Sequence, residues 1–530
     1  MLRGGLTNLN SVSLTANSRW LMTAASSADV LSVSDSEVEF SEGGAYKTLT
    51  VGSLEVNGGT FILNTKLNEG GAASETDKVV VTGDANGSGF IRIRNNGGSG
   101  AVTAEGIKII EVAGASNGTF SLLSDYRTRE GEGAVVAGAY AYTLHKNGIA
   151  TPTDGAWYLR SEMKPVDPPI PPVDPGIVNP IDPDIPLKLR YQPGAPVYEA
   201  YPQALLALNG LPTLQQRVGN RSWAAGNSRT LVQAGAPVME DAGATIEGNG
   251  VWGRIEGGHR RVDTTRSTTG LDLTQNAFKL QAGIDVLLKE DADSKLVGGA
   301  FAHYANGAAK TLSEFDAING GGKIETKGSG LGGSLTWYQD NGLYLDLQGR
   351  ATWYRSDLSY DGGAEKLAEG RKGFGYALSM EGGKRFKLDR DWSLTPQAQL
   401  VYSRVKFDRF TDEFGSSVNL DKGESLEGRI GLALEQQVSW QNSKGLTNRS
   451  HVYGIANLNY EFMGGTRIDL AGIKLENRPD RLAGGVGIGG SYNWDNDRYS
   501  VYAEGLANTS LENFGDSYSF TAQLGFRAKW

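Results

Sequence analysis

Leu343-Tyr344-Leu345-Asp346-Leu347-Gln348-Gly349-Arg350-Ala351-Thr352-Trp353 is the stretch whose reading decides the fold. Its odd positions carry leucine, glycine, alanine and tryptophan, while Tyr344, Asp346, Gln348, Arg350 and Thr352 fill the positions between. Side chains alternate across a strand, so this is a strand with one apolar and one polar face. The final segment repeats the pattern: Phe520, Ala522, Leu524, Phe526, Ala528 and Trp530 alternate with Thr521, Gln523, Gly525, Arg527 and Lys529. A water-soluble sandwich gives the same alternation with its apolar face inward. Count and length separate the two cases. About twelve strands are expected, near 250–262, 272–288, 296–307, 325–339, 342–356, 372–387, 392–405, 427–440, 449–463, 481–494, 497–509 and 518–530, most of them longer than the usual five or six residues. An even number of long strands with alternating long and short connections suits a closed barrel in lipid. An open edge there leaves unpaired backbone groups in hydrocarbon, at several kcal/mol each. The face carrying Asp346, Arg350, Glu381, Arg404 and Glu435 is too charged for a dry core and predicts a hydrated lumen. Aromatics near strand ends, among them Trp252, Tyr304, Trp353, Trp440, Tyr492, Trp494 and Tyr499, are placed to form interfacial girdles.

Around this segment the chain has 530 residues, enough for two or three domains. Its 73 glycines follow no Gly-x-y period, which excludes collagen and favours turns and repetitive β architecture. The net charge of -9, with no basic block, argues against a nucleic-acid partner, since phosphate binding needs a localised cationic footprint. Complete absence of cysteine fits a chain that crosses an oxidising periplasm unfolded; chance in a β-rich protein is the alternative reading. No run of about 18 apolar residues marks a transmembrane helix, but barrel strands need only about 9–11 residues. The start, Met1-Leu2-Arg3-Gly4-Gly5-Leu6, lacks the apolar stretch of a signal peptide. An exported chain beginning so is expected to be a fragment, a misplaced start, or a product whose export signal lies elsewhere.

Residues 1–161 read as short strands, such as Thr60-Phe61-Ile62-Leu63 and Lys78-Val79-Val80-Val81, between turns such as Asn57-Gly58-Gly59. This spacing suits a β-solenoid or a sandwich, and no exact repeat decides between them. Between Glu162 and Pro196 fall 11 of the 17 prolines, which predicts a semi-extended polyproline spacer. Tyr198-Glu199-Ala200-Tyr201 and Gln203-Ala204-Leu205-Leu206-Ala207-Leu208 then predict a helix within 198–222, interrupted at Gly210-Leu211-Pro212. It suits either a narrow polar channel or the protein surface.

At this point the chain resembles the C-terminal end of a monomeric (type V) autotransporter. Val251-Trp252-Gly253-Arg254 resembles the family's opening barrel strand, Gln281-Ala282-Gly283-Ile284-Asp285 its second, and Pro396-Gln397-Ala398-Gln399-Leu400 and Glu424-Ser425-Leu426-Glu427-Gly428-Arg429-Ile430-Gly431 two central motifs. Gly525-Phe526-Arg527-Ala528-Lys529-Trp530 is similar to its terminal insertion signal. Upstream, Asn17-Ser18-Arg19-Trp20, Asp77-Lys78-Val79-Val80-Val81-Thr82-Gly83, Gly118-Thr119-Phe120, Tyr140-Ala141-Tyr142-Thr143-Leu144 and Trp157-Tyr158-Leu159 resemble the end of a pertactin-like passenger.

The resemblance implies an all-β fold: a right-handed parallel β-helix passenger end with an autochaperone-like region over residues 1–161, a Pro-rich linker over 162–196, a linker and short pore-plugging α-helix over 197–246, and a 12-stranded antiparallel transmembrane barrel over 247–530. Ala204 to Ser222 would occupy the helix position. It further implies an outer-membrane protein that exports and displays its own adhesin-like passenger after periplasmic transit. The implied partners are outer-membrane lipids, the barrel-assembly machinery, periplasmic chaperones, and a host or cell-surface ligand for the passenger. Phe526 and Trp530 are expected to serve as insertion-signal residues, with plain closure of the last strand as the alternative. Gly428 and Arg429 are expected to face the lumen or the pore helix, or else simply to pack within a strand.

Nothing in the sequence indicates an enzyme. His145, His259, His303 and His451 have no short metal-ligand spacing, and no thiolate exists. Asn319-Gly320-Gly321-Gly322-Lys323 comes nearest to a phosphate loop, but Ile324 stands where serine or threonine is needed and the spacing is absent. No cofactor is expected. A passive porin, or a soluble surface-binding β protein, is the alternative function; the porin would conduct stably and the soluble protein would fractionate without detergent.

Overall fold

The computed structural model describes residues 1–163, 189–219, 249–264, 266–317, 320–361, 366–389 and 391–530. Residues 164–188 of the spacer expected over 162–196, and any continuation of the expected helix beyond residue 219, lie outside the described residues, as does Asn319 of the glycine-rich run.

The N-terminal strands pair in parallel, each turn of the chain lying on the one before. One ladder runs from Leu2 through Trp20, Val38, Phe61 and Ile91 to Leu122. A second runs through Leu9, Ala28, Val51, Val81 and Val112. Apart from the exposed first rung of each, these side chains are buried, so the apolar face of each turn is covered by its neighbour and only the ends need covering. Gly87 shows why glycine is needed between turns: its φ is +86°, and an added Cβ would lie 1.9 Å from the Val56 carbonyl oxygen. At the far end the pattern changes to antiparallel. Gly133–Ala137, Tyr140–Lys146 and Trp157–Arg160 form a meander whose last strand pairs with Ile107–Val112 and caps the stack.

Twelve antiparallel strands follow: β1 (Gly250–Asp263), β2 (Asp272–Glu290), β3 (Ser294–Leu312), β4 (Gly322–Gln339), β5 (Leu343–Tyr360), β6 (Ala368–Lys384), β7 (Trp392–Phe407), β8 (Glu424–Gln441), β9 (Thr447–Glu461), β10 (Leu482–Trp494), β11 (Tyr499–Ser510) and β12 (Tyr518–Lys529). Pairing of β12 with β1, from Gly250↔Lys529 to Arg261↔Tyr518, closes the barrel. The apolar face points outward. Leu345, Leu347 and Trp353 are exposed on the outer wall while Tyr344, Asp346, Gln348, Arg350 and Thr352 are buried inside, the inverse of a soluble sandwich. Asp346, Arg350, Glu381 and Glu435 line the interior as expected. Arg404 does not: in β7 the odd positions Ser393, Thr395, Gln397, Gln399 and Ser403 face inward, so Arg404 lies outside, paired with Glu424.

Short turns close one end of the barrel. At the other, the long connections build a second antiparallel sheet from Arg266–Ser267, Phe410–Thr411, Ser417–Lys422, Thr466–Leu470 and Ile473–Arg478. The sequence reading left these as connections. Val418, Ile468, Leu470 and Leu475 are buried in the same core as the N-terminal stack, so the stack, rim and barrel mouth share one apolar interior.

Candidate functional site: the occupied barrel lumen

Two helices, α1 (Ala195–Asn209) and α2 (Leu214–Val218), stand inside the barrel. α1 starts nine residues before the expected Ala204, with proline in its first turn, where the missing N–H costs nothing. It ends at Asn209 because Gly210 is extended and Leu211 precedes Pro212, which disfavours helical backbone. Thr213 restarts the helix through a capping box: its hydroxyl accepts from the Gln216 amide at 3.2 Å, and Gln216 Oε1 accepts from the Thr213 amide at 3.0 Å.

The interruption makes the chain bind the wall. A helix end leaves its last carbonyls without partners, and here the barrel supplies donors. Arg350 Nη2 donates to the carbonyls of Leu208 at 3.1 Å and Gly210 at 3.0 Å, and Gln348 Nε2 donates to that of Pro212 at 2.9 Å. Asn209 Nδ2 donates to the Tyr376 carbonyl at 2.9 Å while its Oδ1 accepts from Tyr354 Oη at 3.1 Å. Glu381 receives the Leu214 amide at 3.0 Å and Tyr344 Oη at 2.7 Å. Below the break, Arg217 Nη2 meets Asp346 Oδ1 at 2.5 Å and Nη1 donates to Ser334 Oγ at 2.8 Å; both members of the ion pair are almost wholly buried. Tyr502 Oη donates to the Arg217 carbonyl at 2.6 Å, and Arg527 Nη1 to that of Val218 at 3.1 Å.

Missing side chains make the room. A Cβ on Gly322 would stand 2.1 Å from Val197 Cγ2, and one on Gly307 2.9 Å from Leu208 Cδ1. Glycine at these inward positions of β4 and β3 lets α1 approach the wall backbone closely.

At the wide mouth the N-terminal cap meets the rim. Tyr126 packs edge-on to Tyr360 and tilted to Phe414, and Tyr191 stacks on Tyr140 with Phe315 edge-on. Asp412 ties three parts together, accepting from Tyr198 Oη of α1 at 3.0 Å, from Gln192 Nε2 at 3.1 Å, and from the Ser416 amide of its own loop at 2.7 Å. Burial raises the Asp412 carboxyl above its ordinary range, against these hydrogen bonds, which lower it. Burial likewise raises Asp316, in the loop after β3, to about 6, with the Ser313 amide and Arg129 pulling downward.

The sequence-selected residues occupy three places. Arg429 points into the lumen, where its guanidinium donates to Gln397 and Gln399 and lies 3.7 Å from Glu381, which holds the start of α2. Gly428, its neighbour in β8, faces the other way: a Cβ there would meet Phe462 and Leu400 on the outer wall. Consecutive strand residues cannot share a face, which separates the two. Phe526 lies outside, near Trp494 and Tyr499, in an aromatic belt that also includes Tyr492 and Trp440 at the short-turn end. Trp530 is exposed at the same end. Arg217, Asn209 and Asp412 were not singled out from sequence. Among the described residues no group of histidines and carboxylates is placed to hold a metal ion.

Residues 251–505 match the family model of the autotransporter beta-domain, and residues 26–144 that of the autochaperone domain type 1. The adhesin BmaC autotransporter of Brucella suis biovar 1 is 42% identical over 487 residues, covering 90% of this chain and 14% of that protein. YdeU of Escherichia coli K12, an uncharacterized protein, is 30% identical over 439 residues, covering 79% of this chain and 85% of that one. The pertactin autotransporter of Bordetella bronchiseptica is 27% identical over 525 residues, covering 97% of this chain and 52% of its own length. The chain thus spans a small part of the BmaC length and about half that of pertactin.

Proposed function

The chain belongs to the autotransporter family, and from that premise we propose that the barrel is the conduit of its own passenger, held after export with the linker helix left in the lumen. The observation that carries this reading is topological. α1 enters beside the rim loops, where Glu199 accepts the Thr269 amide at 3.0 Å, and α2 ends beside Arg527 and Tyr502, close to the short-turn end where β1 begins. The polypeptide therefore passes through the closed ring from the passenger side to the end at which β1 starts. A hairpin-by-hairpin barrel with an unrelated pore would have no such segment.

The barrel lies in the outer membrane with the N-terminal residues at the cell surface. In the proposed cycle, the cap of antiparallel strands over the parallel stack is the first part to fold outside. It then templates stacking of each preceding turn, because a single turn cannot bury its own apolar face. The residue limits 1–161, 162–196, 197–246 and 247–530 are the proposed division of labour: passenger end, linker, plug and barrel. The barrel-assembly machinery and periplasmic chaperones are the proposed assembly partners, with Phe526 and Trp530 read by the former. Arg429 acts from the wall by steadying Glu381 against α2. For the whole precursor we infer adhesion through a surface ligand of host or neighbouring cell, as the name of the Brucella relative suggests, and no catalysis by this part.

Protease added to intact cells tests the arrangement, with one epitope before Pro165 and another in the barrel. Loss of the first together with a protected fragment of about residues 190–530 supports it. A product that fractionates wholly in the periplasm without detergent overturns it in favour of a soluble β protein.

A further inference from the structure

On the outer wall, three cations stand side by side across three strands. Lys327 of β4 pairs in register with Arg355 of β5, and Arg355 with Lys372 of β6. All three are exposed and share their faces with the outward residues Leu331, Trp353 and Leu378, so they point away from the lumen. They lie toward the rim-loop end, which faces the cell exterior. One row below, toward the membrane interior, Ser329, Trp353 and Phe374 pair in the same register, with the two aromatic rings 5.7 Å apart. The cations thus sit at the upper edge of the apolar band, where headgroups lie.

Like charges directly opposite one another across strands are destabilising. Nearby cations are compensated: Lys323 pairs with Asp361 at 2.7 Å, and Lys366, in the loop before β6, with Glu369 at 2.6 Å. In the next outward row, Glu325 and Asp357 are opposite each other, and Asp357 is engaged by the Gly370 amide at 2.7 Å and by Lys366 at 3.8 Å. Among the described residues no carboxylate forms an ion pair with Lys327, Arg355 or Lys372. The three line one depression in the wall, of about 370 Å³, with the strand backbone at Gly328 and Gly373 beneath it and Trp353 at its side. Three donors of charge-assisted hydrogen bonds surround the hollow, and an aromatic ring marks its lipid side.

We propose that this row binds the phosphorylated sugar headgroup of an outer-leaflet glycolipid, with phosphate between Lys327, Arg355 and Lys372 and acyl chains descending past Trp353 and Leu331. The site lies on the lipid face, separate from the lumen and from the passenger. It fixes the barrel to the anionic leaflet on one side only, which orients the barrel in depth and rotation within an asymmetric membrane.

The test uses the full chain assembled in outer membranes, extracted in mild detergent, freed of lipid and offered bisphosphorylated lipid A in mixed micelles. Native mass spectrometry reads bound lipid, and heat-modifiable migration reads the barrel. Retention should fall at least about tenfold in Lys327→Gln/Arg355→Gln/Lys372→Gln, and by a similar factor when dephosphorylated lipid A replaces the bisphosphorylated form. The variant Lys327→Arg/Lys372→Arg should retain it as the native chain does. If the triple variant fails to assemble, Arg355→Gln alone, with its heat-modifiable band intact, must still lose most of the bound lipid. Equal retention by the folded glutamine variants overturns the proposal, as does equal binding of the dephosphorylated lipid. Full competition by inorganic phosphate at concentrations near that of the lipid overturns the assignment to a lipid, since the acyl chains would then add nothing.

Discussion

Arg217 shows how one residue fixes a helix to the lumen wall. Its charge is balanced by Asp346, whose oxygens also accept from Thr336 Oγ1 and Gln348 Nε2 at 2.5 and 2.8 Å. Truncating one partner of a buried pair leaves the other uncompensated, at roughly 3–5 kcal/mol. Arg217→Ala is therefore expected to loosen α2 and to raise the open probability of single barrels in planar bilayers several-fold, with heat-modifiable migration retained; unchanged closure would speak against the role given to this pair. Asp316 offers a second residue-scale test. Its folded value of about 6 lies above the ordinary 3.8, so the folded state holds the proton more tightly. The contribution is complete below about pH 4 and lost as pH rises through 6, at most about 3 kcal/mol. Hydrogen exchange, corrected for its intrinsic rate, should be slower in the rim loops and cap at pH 5 than at pH 7.5, and Asp316→Asn should diminish that difference. A variant that keeps the native pH response would refute the assignment. At the short-turn end, Phe526→Ser/Trp530→Ser should lower the yield of heat-modifiable barrel, whereas full yield would reduce these rings to simple packing. Asp346, Arg350 and Glu381 were legible as lumen residues, but their partners on the helices were not: Arg217 meets Asp346 and Tyr502 only because ring closure brings distant strands to one axis. Gly428 and Arg429 illustrate a different limit, since a motif names adjacent residues while strand parity sends them to opposite faces.

Among elements, the barrel strands were the most legible. A two-residue period sustained over long strands has one apolar face, and its outward direction followed from the charge of the other face, as Leu345 and Asp346 show. The strands of the rim sheet were not. Thr466–Leu470 and Ile473–Arg478 are short, carry charge on their exposed face, and read as part of a long connection. Their burial of Ile468 and Leu475 depends on a cap and helix supplied from the other half of the chain. α1 was legible as a helix but its start was not, because Pro196 and Pro202 argue locally against helix and are tolerated at a first turn and in a helix enclosed by the wall. The capping stack carries the element-scale prediction: deletion of residues 54–144 should leave a barrel of normal heat-modifiable migration but a protease-sensitive surface segment. A segment that stays resistant would remove the template role from this region.

For the molecule as a whole, one apolar interior extends from the stacked turns through the cap and rim sheet to α1, and a polar lumen begins below it. The parallel stack was left open by sequence spacing because its turns differ in length: Leu2 meets Trp20, yet Phe61 meets Ile91. A fixed repeat is therefore absent even though each turn lies in register on the last. Membrane, barrel and passenger are joined by a segment that stands inside the ring, described over Ala195–Asn209 and Leu214–Val218, and its passage through the ring is the central claim. It is tested most directly by cross-linking in a chain that has no cysteine of its own. A Cβ at position 307 lies 2.9 Å from Leu208 Cδ1, a methyl that Leu208→Cys removes, so Leu208→Cys with Gly307→Cys brings two sulfurs within disulfide range. Oxidation of intact cells should give a disulfide that tethers the barrel fragment to the helix after cleavage of the chain between residues 220 and 248, with the barrel still heat-modifiable. A folded, heat-modifiable barrel in which the two cysteines remain unlinked would contradict a helix held in the lumen.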